Sequence, residues 1–203
     1  MAKAKSVFFC QNCGAESSKW MGRCPQCGEW NTLVEEIIKE TKHSRTPSRG
    51  VGNQTAKPTA LPDIEISSIA RVSTTFGEID RVLGGGIVPG ALMLLGGDPG
   101  IGKSTLLLQV SQKVADTVGA VLYASGEESQ LQLKLRAERL HINSERLQVI
   151  ADTDLDHILE QAEAMTPSLL VIDSIQTMYT GDIDAAPGSV SQVRECTSRL
   201  LRF

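Results

Sequence analysis

Residues 97–105 read Gly97-Asp98-Pro99-Gly100-Ile101-Gly102-Lys103-Ser104-Thr105, and they meet every fixed position of the pattern GxxxxGK[ST]. The spacing has a physical reason. Glycines let the backbone turn tightly and aim successive N–H groups at phosphate oxygens. A following helix points its free N–H groups and partial positive charge at the same place. Lys103 adds a full charge near the β- and γ-phosphates, and Ser104 offers a hydroxyl to Mg²⁺. The flanks agree with this reading. Ala91–Leu95 is an apolar run that predicts a buried strand. Leu107, Val110 and Val114 share one face of a helix predicted over Ser104–Val118. Residues 97–105 are therefore expected to bind ATP, with Lys103 also acting in catalysis.

Downstream, strand and helix signals alternate. Val121–Ala124, Leu147–Ile150 and Leu169–Ile172 read as strands. Residues 129–140, Leu155–Met165 with Asp154 as N-cap, and Ser191–Phe203 read as helices. In the first of these helices Leu131 and Leu135 share one face, with Leu133 and Leu140 on the opposite one. The order predicts an α/β core, a parallel sheet with helices on both faces. Asp173 ends the third strand, where a carboxylate can help hold Mg²⁺. Glu127 and Glu128 leave the first, on the edge that carries the phosphate loop, and are the candidate general bases. Glu127 is favoured, with the other glutamate starting the next helix.

Upstream lies a different composition. Cys10, Cys13, Cys24 and Cys27 form two CxxC pairs, followed by Gly14 and Gly28. Such knuckles place four thiolates around one tetrahedral site suited to Zn²⁺, in a module over 6–34 too small to fold on its core alone. Trp20 and Trp30 are expected to pack over the knuckles, stacking on bases being the alternative. Residues 39–63 are rich in Lys, Arg, Ser, Thr, Pro and Gly and read as a flexible linker, with the core running over 64–203.

Net charge is −4, but residues 1–60 carry nine Lys/Arg against five Asp/Glu, and the rest eleven against nineteen. A basic arm on an acidic core is compatible with nucleic acid. No apolar run approaches the ~20 residues that span a bilayer, and no signal peptide is evident, so the expected compartment is the cytoplasm. That context favours metal over disulfides for the clustered cysteines. Cys196 reads as a packed helix residue. His43, His141 and His157 have no evident partner in the sequence.

Taken in order, the CxxC…CPxCG pair, FGEIDRVLGGGIVPGALMLLGGDPGIGKSTLLLQ, YASGEES and LLVIDSIQT resemble the RadA (Sms) family of bacterial DNA repair proteins, relatives of the RecA recombinase. The resemblance implies a RecA-like P-loop ATPase core behind a four-cysteine zinc module. It implies DNA-dependent ATP hydrolysis, binding of single-stranded and branched DNA, branch migration, hexameric rings, and a recombinase or helicase partner. It assigns ATP binding to residues 97–105, magnesium to Ser104 and Asp173, the catalytic glutamate to Glu127, and zinc to the four cysteines. Met178–Val190 takes the place of a DNA-contacting loop, although its composition argues only for mobility. Arg194, Arg199 and Arg202 would then face DNA or a neighbouring subunit, or else form a solvated face. The family's Lys-Asn-Arg-Phe-Gly motif, its γ-phosphate-sensing strand and its Lon-protease-like domain would follow Phe203, so the sheet is expected to be completed by further residues. A RecA-fold autokinase resembling the circadian-clock kinase is the alternative.

Overall fold

The computed structural model describes residues 5–38, 60–63 and 71–203. Most of the expected linker over 39–63 and the first residues of the expected core lie outside these. The elements run β1 (Lys5–Cys10), β2 (Glu16–Ser17), β3 (Leu33–Ile38), α1 (Gly77–Val82), α2 (Lys103–Thr117), β4 (Val121–Ser125), α3 (Gln130–Arg139), β5 (Leu147–Ala151), α4 (Leu155–Met165), β6 (Leu169–Asp173), β7 (Ile183–Asp184) and α5 (Val190–Arg202).

The core is a parallel sheet in the order β5-β4-β6. Side chains alternate across it, as the strand period requires. Tyr123 and Val171 pack on one face with Leu108 of α2 and Leu133 of α3. Ala124, Leu170 and Ile172 pack on the other with Leu155 and Ile158 of α4 and Cys196 of α5. Helices thus cover both faces. On α3, Leu133 is buried while Leu131 and Leu135 are exposed, so the Leu133/Leu140 face is the inner one. Ser129 and Gln132 form a capping box at its start. Asp154 caps α4, accepting from the N–H groups of Asp156 and His157.

One expected strand is absent. Ala91–Leu95 belongs to no sheet, and Leu92, Met93, Leu94 and Leu95 are exposed. A strand exists only where a neighbour satisfies its N–H and C=O groups. Among the described residues β6 pairs with β4 alone, and 91–95 does not pair with its far edge.

The second sheet is antiparallel, in the order β2-β1-β3-β7. Its first three strands carry the cysteine module. The fourth comes from the core, with Ile37 opposite Asp184 and Ile38 opposite Ile183. Met178–Val190 is therefore tied down, against its composition. Gln192, itself buried, donates to the carbonyls of Thr180, Ile183 and Ala185 and accepts from the Thr180 N–H.

Candidate functional site

The connection from α2 to β4 spans only residues 118–120. The helix therefore runs back along the sheet, and its N-terminus lies at the carboxyl edge where β4, β5 and β6 end. Within the phosphate loop Gly100 and Gly102 take φ of 80° and 104°, values L side chains rarely adopt. Gly102 is the N-cap of α2 and has no side chain to satisfy the first N–H groups. Lys103 Nζ donates to the carbonyls of Gly97 at 2.7 Å and Asp98 at 2.9 Å, so the ammonium folds over the loop.

The other candidates gather at the same edge. Ser125 of β4 is in register with Asp173 of β6, and the N–H of Gly126 donates to the Asp173 carbonyl. A side chain at Gly126 would collide with Thr177, so glycine lets the end of β4 lie against the turn that follows β6. The Ser125 hydroxyl accepts from the N–H groups of Glu127 and Glu128. The two glutamates then diverge. Glu127 is exposed, and its Oε1 accepts a 2.6 Å hydrogen bond from Ser174 Oγ. Glu128 turns to Arg136 of α3 in a half-buried ion pair. Its Oε2 is buried without a hydrogen-bond partner among the described residues. A cleft of about 270 Å³ lined by Thr105, Arg136, Arg139 and Leu140 lies beside the phosphate-loop helix.

Asp173 has a partner that sequence reasoning missed. Tyr123 is fully buried, and its hydroxyl donates to Asp173 Oδ2 at 2.5 Å. Burial, and then the adjacent carboxylate, push the phenol pKa upward, so Tyr123 stays a donor. The only sequence signal was a tyrosine at an inward position of a central strand, whose hydroxyl must find an acceptor.

The four cysteines converge, with all Sγ atoms within 4.8 Å of one another. Cys10 and Cys27 sulfurs are 3.7 Å apart, and those of Cys13 and Cys24 are 3.6 Å apart. Two matching turns produce this. Gly14 N–H donates to the Cys10 carbonyl and Gly28 N–H to that of Cys24, with φ of 71° and 78°. The side-chain hydrogen bond with Thr32 brings the Cys10 thiol pKa down to about 6. Such a donor set fits one closed tetrahedral metal site.

Several expectations change. Trp20 and Trp30 do not pack over the knuckles: they are 59% and 67% exposed. Cys10, Cys24 and Leu33 fill the module's small core without either indole. Of the α5 arginines, Arg199 is held by Asp156, Asp182 and Glu195. Arg194 reaches the module, donating to Gly14 O at 2.9 Å and approaching Glu16 at 3.4 Å. Arg202 pairs with Glu195. Cys196, as expected, is packed, its thiol pushed up to about 11 by burial. His157 has a partner in Asp152, 2.5 Å away.

Comparison with known proteins extends this description. Residues 55–203 match the AAA domain family, and residues 8–35 match the rubredoxin metal binding domain. The chain is 56% identical to DNA repair protein RadA of Bacillus subtilis and 52% identical to that of Listeria monocytogenes, in each case over 100% of this chain and 44% of the relative. It thus spans less than half the length of these curated relatives. Flagellar accessory protein FlaH of Methanocaldococcus jannaschii, a solved structure, is 20% identical with a TM-score of 0.47, covering 66% of each chain. No helix among the described residues is long and apolar enough to cross a membrane.

Proposed function

The chain belongs to the AAA domain family and is similar along its whole length to the DNA repair protein RadA, and from that premise we propose that it is the nucleotide-binding end of a DNA-dependent ATPase of recombinational repair. The observation that carries the reading is that Glu127 and Asp173 lie at the sheet edge toward which the N-terminus of α2 points. Residues 97–105 hold the triphosphate through backbone N–H groups. Lys103 leaves the loop carbonyls for the β- and γ-phosphates. Ser104 and Asp173 would hold Mg²⁺, whose charge offsets that of the phosphates when bound. Glu127, oriented by Ser174, takes a proton from the attacking water. The four thiolates would hold Zn²⁺: bonds of ~2.3 Å give tetrahedral S···S edges of ~3.8 Å, near the 3.6 and 3.7 Å observed.

The DNA is single-stranded or branched, the assembly a hexameric ring, and the compartment the cytoplasm, with a recombinase or helicase as partner. The test is ATP turnover by the whole protein with and without single-stranded DNA. Stimulation by DNA, and loss of turnover by about 100-fold or more in Lys103→Ala, are expected. Turnover indifferent to DNA would remove the motor and return the autokinase.

A further inference from the structure

Trp20 and Trp30 are the only tryptophans in the chain, and both stand in solvent. An indole is large and apolar, and on average it is highly buried. The two rings converge on one point. A Cβ built at Gly22 would lie 3.7 Å from Trp30 Cζ3 and 3.8 Å from Trp20 Cη2, so both indoles lie beside the same stretch of backbone.

That backbone is rigid. Arg23 and Trp30 form a β-bridge, Asn31 N–H donates to Gly22 O at 2.8 Å, and Cys24 N–H donates to Glu29 O at 2.8 Å. The rings therefore ride on the turn that carries Cys24 and Cys27. Arg23 is fixed as well. Its Nε donates to Gly28 O at 2.7 Å, and its guanidinium lies over the Trp30 ring, 5.9 Å from the centroid.

The surroundings select the occupant. A protein interface needs a contiguous apolar centre of several hundred Å². Here only Met21 and Pro25 add apolar surface within 18–31, and the other exposed residues are Ser18, Lys19, Arg23, Gln26, Glu29 and Asn31. Within 18–31 two cations stand against one carboxylate. Separate aromatic faces set among cations suit unstacked bases on a phosphate backbone: each base offers a π-face to an indole, and each phosphate a charge to Lys19 or Arg23. We propose that Trp20 and Trp30 form a nucleobase-stacking site for single-stranded DNA on the metal module, with Lys19 and Arg23 meeting the adjacent phosphates. This rests on the DNA-dependent reading above and names a contact surface away from the ATP site.

The experiment is anisotropy of a labelled oligothymidylate titrated with the whole protein, metal loaded, across a range of salt. Trp20→Ala and Trp30→Ala are each expected to weaken binding about tenfold or more. Trp30→Tyr, which keeps a ring, restores most of it. Neither alanine variant should change the salt dependence, whereas Arg23→Ala should flatten the slope by about one phosphate. Metal content and DNA-free ATP turnover stay at wild-type values in the tryptophan variants, which separates lost stacking from a damaged fold. If wild type binds and both alanine variants bind as well as it does, the site is overturned while the DNA-dependent ATPase stands. The same holds if they keep oligonucleotide affinity and lose a protein partner instead. Wild type that fails to bind the oligonucleotide overturns both readings.

Discussion

The cysteine module and the phosphate-loop core both build their sites from glycine turns, but they differ in how far along the chain the parts lie. Each knuckle joins residues three apart, and the turns at Gly14 and Gly28 set its backbone locally. The core assembles Lys103, Glu127 and Asp173 from separate strand and helix ends, so its geometry depends on sheet register and on packing across α2, β4 and β6. A local site can be complete in a few dozen residues if a metal supplies its stability. A sheet-edge site needs the sheet, and among the described residues Ala91–Leu95 has not joined it.

The largest expected effect follows from that contrast. Removing metal from the module by chelation, or by Cys24→Ser, withdraws an apparent ~10–16 kcal/mol of binding free energy from a segment with almost no apolar core. Amide exchange should then show protection lost throughout β1, β2 and β3 and retained in β4, β5 and β6. The contacts joining the two regions sharpen the expectation. Because β7 pairs with β3 and Arg194 holds the Gly14 carbonyl, residues 183–194 are the part of the core that should loosen. If β4 to β6 exchange along with the module, the two regions are a single cooperative unit and the contrast between them fails.

Within the core, the split between the two glutamates is the next test. Glu127→Gln is expected to lower ATP turnover by about 10²- to 10⁴-fold with nucleotide affinity nearly unchanged. Glu128→Gln weakens the ion pair with Arg136 and should show first as a lower unfolding midpoint. Steady-state turnover and calorimetry on both variants decide it. Loss of turnover in Glu128→Gln alone would exchange their roles.

The same contrast governs how much could be read from residues alone. Phosphate loop, knuckles, the Asp154 cap and the alternation of strands and helices are short-range patterns, and the structure shows each as an element or a turn. What escaped depends on neighbours distant in sequence. The Tyr123–Asp173 bond joins two strands whose pairing is invisible in either one. Ala91–Leu95 has the apolarity of a strand, yet apolarity cannot supply the partner whose N–H and C=O groups would make it one. Met178–Val190 has a mobile composition and is held by Gln192, which lies beyond its end. The exposure of Trp20 and Trp30 goes with a small core that Cys10, Cys24 and Leu33 fill without them, a property of the module rather than of either residue.

The smallest expected effect opposes the two regions in pH. The hydrogen bond from His157 to Asp152 raises the imidazole pKa above its usual 6.5. Burial works against the Asp152 carboxylate, but the N–H groups of Asp154 and Thr153 together with His157 outweigh it and leave its pKa lowered. A histidine raised on folding contributes stability that is fully present below about pH 6.5 and is lost as pH rises through its folded value. The thiolate site runs the other way, because acid protonates its ligands and releases the metal. The imidazole is half exposed, so the pair is worth little. His157→Gln should lower the core's melting midpoint by about 1–2 °C at pH 6 and leave it unchanged near pH 8.5. The module should melt more readily at pH 5 than at pH 8 in both proteins. A His157→Gln deficit that stays constant across that range would mean the side chain acts through packing rather than charge.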